Sequence, residues 1–505
     1  MSPSRKLLMG PIIAEFELGT GCYTAPVSRY WVGIDQGSTA TKACLVDERW
    51  RVRRIVSVPV ISRHPAPGWV EHDPESLLHS VRTALRRVMK GVGPAEVRGV
   101  GLACQRSTCL FWDAGSQKPL TPALSWQDRR GEAICNTLSR HAEDIIRKTG
   151  LRLSPHYAAS KIRWLLDQSS GLRHKAERGQ ARFGTLDAYL LFRLTEGESW
   201  STDPTQAART LLMDLKRLDW DPELLDLFGV PYCALPPIRP SSFPAGEIPV
   251  GKARLRIAAT LGDQQSALIG VGCRRRGEAV INYGTGAFVA LNTGQRPARI
   301  PGLLTSVAWS SEQDVHYLLE GTVNAAGSAV EWLEAILGHA RRSLSKTKDF
   351  QGLPLVVPAL NGLAAPHWRS DVGAAIFDLH SGVGPGELRT ATLAGIACRI
   401  REIVEVMGRG RIPVNRIVAA GGLARSDDLV RMQAGLLSRP LFRSSVEEAT
   451  ALGAALLAGH TAGAWSLHDR SSPGPPAEIV RPSLQRSEAR RYFKRFGQSM
   501  KRILS

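Results

Sequence analysis

The sequence predicts an α/β protein assembled from two copies of one domain, and three observations carry that expectation. Strand-length apolar runs alternate with stretches of helical periodicity over most of the chain, the pattern of sheets covered by helices. A strand–turn–strand unit with a Gly and Ser/Thr tip occurs at residues 30–47 and again at 278–294, an echo that points to internal duplication. The chain has 505 residues, more than a single hydrophobic core usually serves.

Residues 1–29 carry no clear periodicity and read as an N-terminal extension, so the fold is expected to start at Tyr30. From there the apolar residues fit a strand, a tight turn at Gly37-Ser38-Thr39 and a second strand through Ala43, Leu45 and Val46. Helical periodicity follows at 75–90, 131–149 and 160–168, with a strand-like run at 97–104. Beyond the second hairpin, helices are expected at 325–338, 386–407 and 426–437, with a strand at 416–420. Residues 467–482 are rich in Ser, Pro and Arg, and 486–504 read as a basic helix in a tail outside the core. The expected boundaries are therefore an extension at 1–29, domains at 30–273 and 274–463, and a basic tail at 464–505.

With 43% hydrophobic, 22% charged and 6% aromatic residues, the composition excludes disordered, collagenous and disulfide-rich classes. A formal charge of +19 favours anionic ligands such as nucleotides, sugar phosphates or nucleic acid. The basic C-terminal residues read as a solvated helix face, so nucleic acid is the weakest of these. Eight scattered cysteines form no Cys-x-x-Cys pair and read as reduced thiols. Neither a membrane span nor a secretory signal is evident, which places the protein in the cytoplasm.

The two tips, Gly37-Ser38-Thr39 and Gly284-Thr285-Gly286, offer backbone N–H groups and hydroxyls. Either alone is an ordinary turn; repeated, they suit phosphate oxygens. Asp35, just before the first tip, could serve a magnesium ion. Walker and Rossmann glycine loops are missing. Ala419-Ala420-Gly421-Gly422 lies between a strand and a helix, where backbone could approach a nucleotide or simply turn. Asp263 precedes a small-residue helix and is either its N-cap or a general base. Trp126 to Arg130 and Cys104 to Ser107 combine an indole and a guanidinium with hydrogen-bonding groups, as a polyol pocket needs, although core packing or surface ion pairs would use the same residues.

Six segments in this order resemble the FGGY family of carbohydrate kinases, most closely its glycerol kinase branch. They are Gly33-Ile34-Asp35-Gln36-Gly37-Ser38-Thr39, Pro67-Gly68-Trp69-Val70-Glu71-His72-Asp73-Pro74, Trp126-Gln127-Asp128-Arg129-Arg130, Gly262-Asp263-Gln264-Gln265, Asn282-Tyr283-Gly284-Thr285-Gly286 and Ala449-Thr450-Ala451-Leu452-Gly453-Ala454-Ala455. The resemblance implies two ribonuclease-H-like domains, as in actin, hexokinase and heat-shock chaperones, with ATP and substrate in the cleft between them. By the same resemblance Asp263 is the catalytic base and Gln264 a substrate ligand, while Arg106, Ser107, Trp126, His156 and Phe288 line the polyol pocket. It also implies that Gly37, Ser38, Thr39, Lys42, Gly284 and Thr285 face the phosphates, that Gly327, Glu331, Gly422 and Ser426 shape the ATP pocket, and that Asp35 serves Mg²⁺.

Several positions depart from the family. Ser107 stands where glycerol kinases carry a Glu that accepts from glycerol hydroxyls, His156 where Tyr is usual, Glu331 where Gln is expected and Ser426 where Asn is expected. Asp378 and Ala394 replace a usual Gly and an acidic residue. Glycerol is thus the first expectation. Another polyol or ketose, of erythritol, xylitol, ribulose or xylulose type, would use the room that a short Ser107 leaves, and a catalytically weak nucleotide-binding relative is the remaining alternative. The expected partner is a small polyol or sugar, with self-association as a homodimer or homotetramer left open.

Overall fold

The computed structural model describes residues 29–338, 350, 352–410, 412–469 and 477–505. The expected extension lies outside them except for Arg29. Six strands form the first main sheet: β1 Tyr30–Gln36, β2 Ala40–Asp47, β3 Val52–Pro59, β4 Val97–Cys104, β5 Gly246–Val250 and β6 Ala253–Gly262, in the order β5-β6-β4-β1-β2-β3. β1 and β2 form the expected hairpin, β3 extends it antiparallel, and β4 and β6 run parallel to β1.

The second main sheet holds β7 Glu278–Tyr283, β8 Ala287–Gly294, β9 Leu304–Ser310, β10 Val315–Val323, β11 Arg416–Ala420, β12 Leu441–Ser444 and β13 Ala477–Val480, in the order β9-β10-β8-β7-β11-β12-β13. β7 and β8 form the second hairpin, β10 adds antiparallel to β8, and β11 and β12 run parallel to β7. The run β10-β8-β7-β11-β12 therefore repeats β3-β2-β1-β4-β6, so the echo in sequence is a duplication of topology. A smaller four-stranded sheet, with Cys109–Asp113 and Ala181–Thr185 at its centre, belongs to the first half.

Helices cover these sheets, which is why most β1 and β4 residues are buried on both faces. Helix α1 Pro74–Val88 starts at Asp73, whose carboxylate accepts from Ser76 N, and turns Leu77, Leu78, Val81, Ala84, Leu85 and Val88 inward. On the second half lie α3 Gly327–Leu337, α4 Pro385–Gly408 and α5 Asp427–Leu437, after α2 Asp263–Gly270 at the end of β6. The stretch expected as one helix at 131–149 is instead Glu132–Thr137, a 3₁₀ turn Ser139–His141 and Ala142–Thr149. Among the described residues no helix is long and apolar enough to cross a membrane.

Helix α6 Ala449–Thr461 belongs to the second half of the chain yet lies on the first sheet. A Cβ at Gly33 would stand 1.8 Å from Ala451 O, and one at Gly101 2.0 Å from Ala454 O. Against α2 the approach is equally close, with a Cβ at Gly453 1.8 Å from Ser266 O and Ser266 Oγ donating to Thr450 O at 2.6 Å. The Ala-Thr-Ala-Leu-Gly-Ala-Ala run therefore lets backbone meet backbone. One core cluster includes Trp31 and Ala103 from the first sheet, Leu268 from α2, Leu456 from α6, and Val280, Leu318 and Val418 from the second sheet. Both helices are held between the two sheets.

The expected tail outside the core is corrected by the C-terminal residues. β13 pairs with β12, Val480 opposite Leu441, and helix α7 Arg486–Leu504 contributes Ala489, Tyr492, Phe496 and Met500 to the core of the second half. These four share one helical face while Arg490, Arg491, Lys494 and Lys501 stay exposed. The basic composition had hidden an apolar stripe. Asp378, at a position where glycine is usual, has φ 57 and accepts from Arg495 of this helix at 2.8 Å.

Candidate active site

Three parallel strands of the first sheet end level with one another. Gln36 and Gly262 both pair with Cys104, so Asp35 at the end of β1, Gln105 and Arg106 after β4, and Asp263 after β6 leave the sheet at one carboxyl edge, where ligands of α/β sheets gather. Asp263 is the first helical residue of α2. The N-cap position belongs to Gly262, which is extended at φ −70 and ψ 149, so the capping alternative for Asp263 does not hold. Its Oδ1 accepts from Gln264 N at 2.7 Å and lies 3.3 Å from Arg106 Nε.

Arg106 joins the two halves. Its Nη1 donates to Glu320 Oε1 at 2.9 Å and reaches Gln265 Oε1 at 3.4 Å. The other oxygen of Glu320 accepts from Arg209 Nη2. Glu320 stands on β10 of the second sheet, so this buried array spans the space between the sheets. On β8, Ala290 pairs with Glu320 and Phe288 with Thr322, which puts Phe288 and Glu320 on one face. Phe288 is 36% exposed.

Burial sets the electrostatics of these groups. It pushes the Asp263 carboxyl up from its ordinary value, with Arg106 opposing. Asp35 is pushed up to about 8 by burial and then by the charge of Asp263, with Lys42 opposing. Burial alone would raise Glu320 too, but the guanidinium groups of Arg209 and Arg106 hold it at about 2. Asp35 and Asp263 thus repel each other in a dry place, a carboxylate environment that a hard divalent cation relieves.

The structure brings several of the residues expected to line a polyol pocket near one another. The Trp126 ring lies 5.4 Å from that of His156, which lies 5.0 Å from Tyr157. Burial, with Lys161 and Arg209 nearby, holds His156 well below the usual imidazole range, hence neutral. Gln264 accepts from Asn282 Nδ2 at 3.4 Å, across to the second sheet. Ser107 departs from expectation: it is fully buried, has φ 65, and donates to Arg209 O at 3.3 Å. Arg129 is an exposed partner of Glu132, whereas Arg130 is buried between Trp69 and Trp164 and bound to Asp128 and Glu71, a structural role.

In the second half, Gly284 and Thr285 form an exposed tip whose carbonyls accept from Gly327 N at 3.0 Å and from Ala326 N at 2.9 Å. A Cβ at Gly327 would meet Gly284 O at 2.6 Å, so the start of α3 is bound to the tip. Glu331 lies exposed one turn further along α3. Of the glycine pair after β11, Gly421 is the constrained one: its φ is +90 and a Cβ there would stand 2.3 Å from Tyr283 O. Gly422 faces open space, and Ser426 caps α5 by accepting from Leu429 N. At the first tip Gly37 N donates to Ala40 O, Ser38 is half-buried and Thr39 exposed. Lys42 is ion-paired with Glu448 at 2.9 Å, at the head of α6.

Sequence reasoning missed Arg209 and Glu320, and of the glycine pair it favoured Gly422 where Gly421 is the constrained one. Glu320 had a weak signal, the one acid in strand β10; Arg209 had none.

An acceptor-side carboxylate and repeated glycine tips suit phosphoryl transfer, which needs positioned phosphates more than covalent help, and they put the protein among the two-lobed phosphotransferases. The chain belongs to the FGGY family of carbohydrate kinases, matching the family's N-terminal domain over residues 30–270 and its C-terminal domain over 279–462. It is 42% identical to a glycerol kinase of Thermus brockianus over 476 residues, 92% of this chain and 94% of that protein. The crystal structure of Plasmodium falciparum glycerol kinase with ADP superposes with a TM-score of 0.88 at 28% identity, covering 95% of this chain and 99% of that one. A gluconate kinase of Lactobacillus acidophilus, at 22% identity, shares the fold with a TM-score of 0.85, over 95% of this chain and 99% of its own.

Proposed function

We propose that the protein transfers the γ-phosphate of ATP to a primary hydroxyl of glycerol. The observation that carries this reading is the Arg106–Asp263 pair at the carboxyl edge of the first sheet, with Glu320 reaching in from the second. Asp263 takes the proton of the attacking hydroxyl, and its raised carboxyl makes it a better base than an exposed Asp. Arg106 and Gln264 hydrogen-bond the substrate hydroxyls, while Trp126, His156 and Phe288 wall its carbons. Ser107 is closed off, so the charged acceptor comes from Glu320, which keeps lone pairs beyond those its two arginines use.

Residues 30–273 form the substrate side and 274–463 the nucleotide side. Gly37, Ser38, Thr39 and Lys42 from the first tip, with Gly284 and Thr285 from the second, hold the phosphates. Gly327, Glu331, Gly422 and Ser426 border the rest of ATP. Asp35 would hold Mg²⁺, which would neutralise phosphate charge. The thiols are free among the described residues, which suits a reducing cytoplasm. The relatives named glycerol kinases support glycerol as acceptor.

The reading is tested by coupled ADP release with glycerol, erythritol, xylitol, dihydroxyacetone, ribulose and xylulose. Glycerol is expected to give the highest kcat/KM. A ketose leading the series would reassign the substrate, and ADP release stimulated by none of them would leave a nucleotide-binding relative.

A further inference from the structure

A second cluster of donors lies away from the catalytic edge. The turn between β9 and β10 carries Asp314, His316 opens β10, and His468 comes from the segment after α6. One ligand atom from each residue lies within 4.8 Å of the other two, and His468 Nε2 stands 3.6 Å from Asp314 Oδ2. Around a tetrahedral zinc with bonds of about 2.1 Å, donors sit roughly 3.4 Å apart. One pair is already near that spacing, and the third donor needs to move by about 1 Å.

His316 supplies an independent observation. It is 7% exposed and stacked on Trp309 at 4.4 Å and 8°. Among the described residues neither of its ring nitrogens has a hydrogen-bond partner. A buried polar group left unpaired is destabilising, and one of these nitrogens lies close to Asp314 and His468. A ligand that accepts imidazole lone pairs removes that cost.

We propose that Asp314, His316 and His468 form a zinc site, with water in the fourth position. Two imidazoles and one carboxylate suit a borderline transition metal rather than magnesium, which prefers oxygen donors. His460 stands just outside the set: its ring is 5.7 Å from that of His468, and its Nδ1 is 3.3 Å from Trp465 O. His316 precedes Glu320 on the same strand by about 13 Å at a strand's rise, so the site is separate from the acceptor pocket. A bound ion ties the β9–β10 hairpin to the segment that leaves α6, and so braces the region between the two sheets.

The test uses untagged full-length protein stripped with chelator, then titrated with Zn²⁺ or Co²⁺ in excess Mg²⁺. We expect one equivalent of zinc bound at micromolar Kd or tighter, tetrahedral ligand-field bands with cobalt, and a Tm that rises with zinc. H468A, at a half-exposed position, and D314A should each weaken zinc binding by ~100-fold or more, while glycerol-dependent ADP release by the stripped protein persists. If H316A fails to fold, these two variants still decide the matter. Absence of micromolar zinc binding overturns the site. So does equal binding by wild type, H468A and D314A, and binding lost only in C233S, which would assign the zinc to the exposed thiol.

Discussion

Asp263 and Glu320 do opposite things with burial. For Asp263 burial wins over Arg106 and the carboxyl rises; for Glu320 two guanidinium groups win over burial and it falls to about 2. D263N keeps the acceptor for Gln264 N and should leave Tm and ATP affinity unchanged while kcat drops by ~10²- to 10⁴-fold; near-wild-type turnover would remove the base role. E320Q should destabilise the protein by about 3 kcal/mol at neutral pH, since a carboxyl held at about 2 against an ordinary 4.5 is worth about 1.4 kcal/mol per unit. The sign follows from a depressed folded pKa: this stabilisation is complete above 4.5 and fades as pH falls toward 2. Denaturation midpoints of wild type should therefore fall faster below pH 4.5 than those of E320Q. The one acid of β10 stands out in the sequence only once the strand is recognised, and its arginines, 111 and 214 residues away, have no local signal, because no local pattern encodes a pairing across two sheets.

Elements meet here through missing side chains. Gly33, Gly101, Gly270 and Gly453 let α6 lie against β1, β4 and α2 with backbone in contact. G453A inserts a methyl 1.8 Å from Ser266 O and should cost about 3 kcal/mol or more, read as a shifted denaturation midpoint. G422A meets nothing within 4 Å and should melt like wild type; a large loss of stability would contradict its open placement. The hairpins, the strands at 97–104 and 416–420 and the long helices were readable because period-2 and period-3.6 patterns are local. The choice between Gly421 and Gly422 was not, since only the neighbouring Tyr283 carbonyl distinguishes them.

At the scale of the molecule, the two halves share a core around α2 and α6, and the chain ends inside the second half rather than beside it. Deleting 486–505 removes Tyr492, Phe496 and Met500, each at most 2% exposed. At about 1.5–3 kcal/mol per buried large side chain, the loss should exceed about 5 kcal/mol, giving aggregation or a clearly lowered Tm. A truncated protein with unchanged Tm and activity would restore the tail to a dispensable role.

The amino-acid sequence alone determined the alternation of elements, the duplicated hairpins and the motifs of the family, because these are written in short-range periodicity and in contiguous segments. Tertiary structure decided that Asp263 pairs with Arg106 rather than capping its helix, that Ser107 is buried while Glu320 faces its arginines, and that a basic helix is part of a core. Each of those depends on which distant segments approach, and burial and charge pairing exist only once the chain has folded.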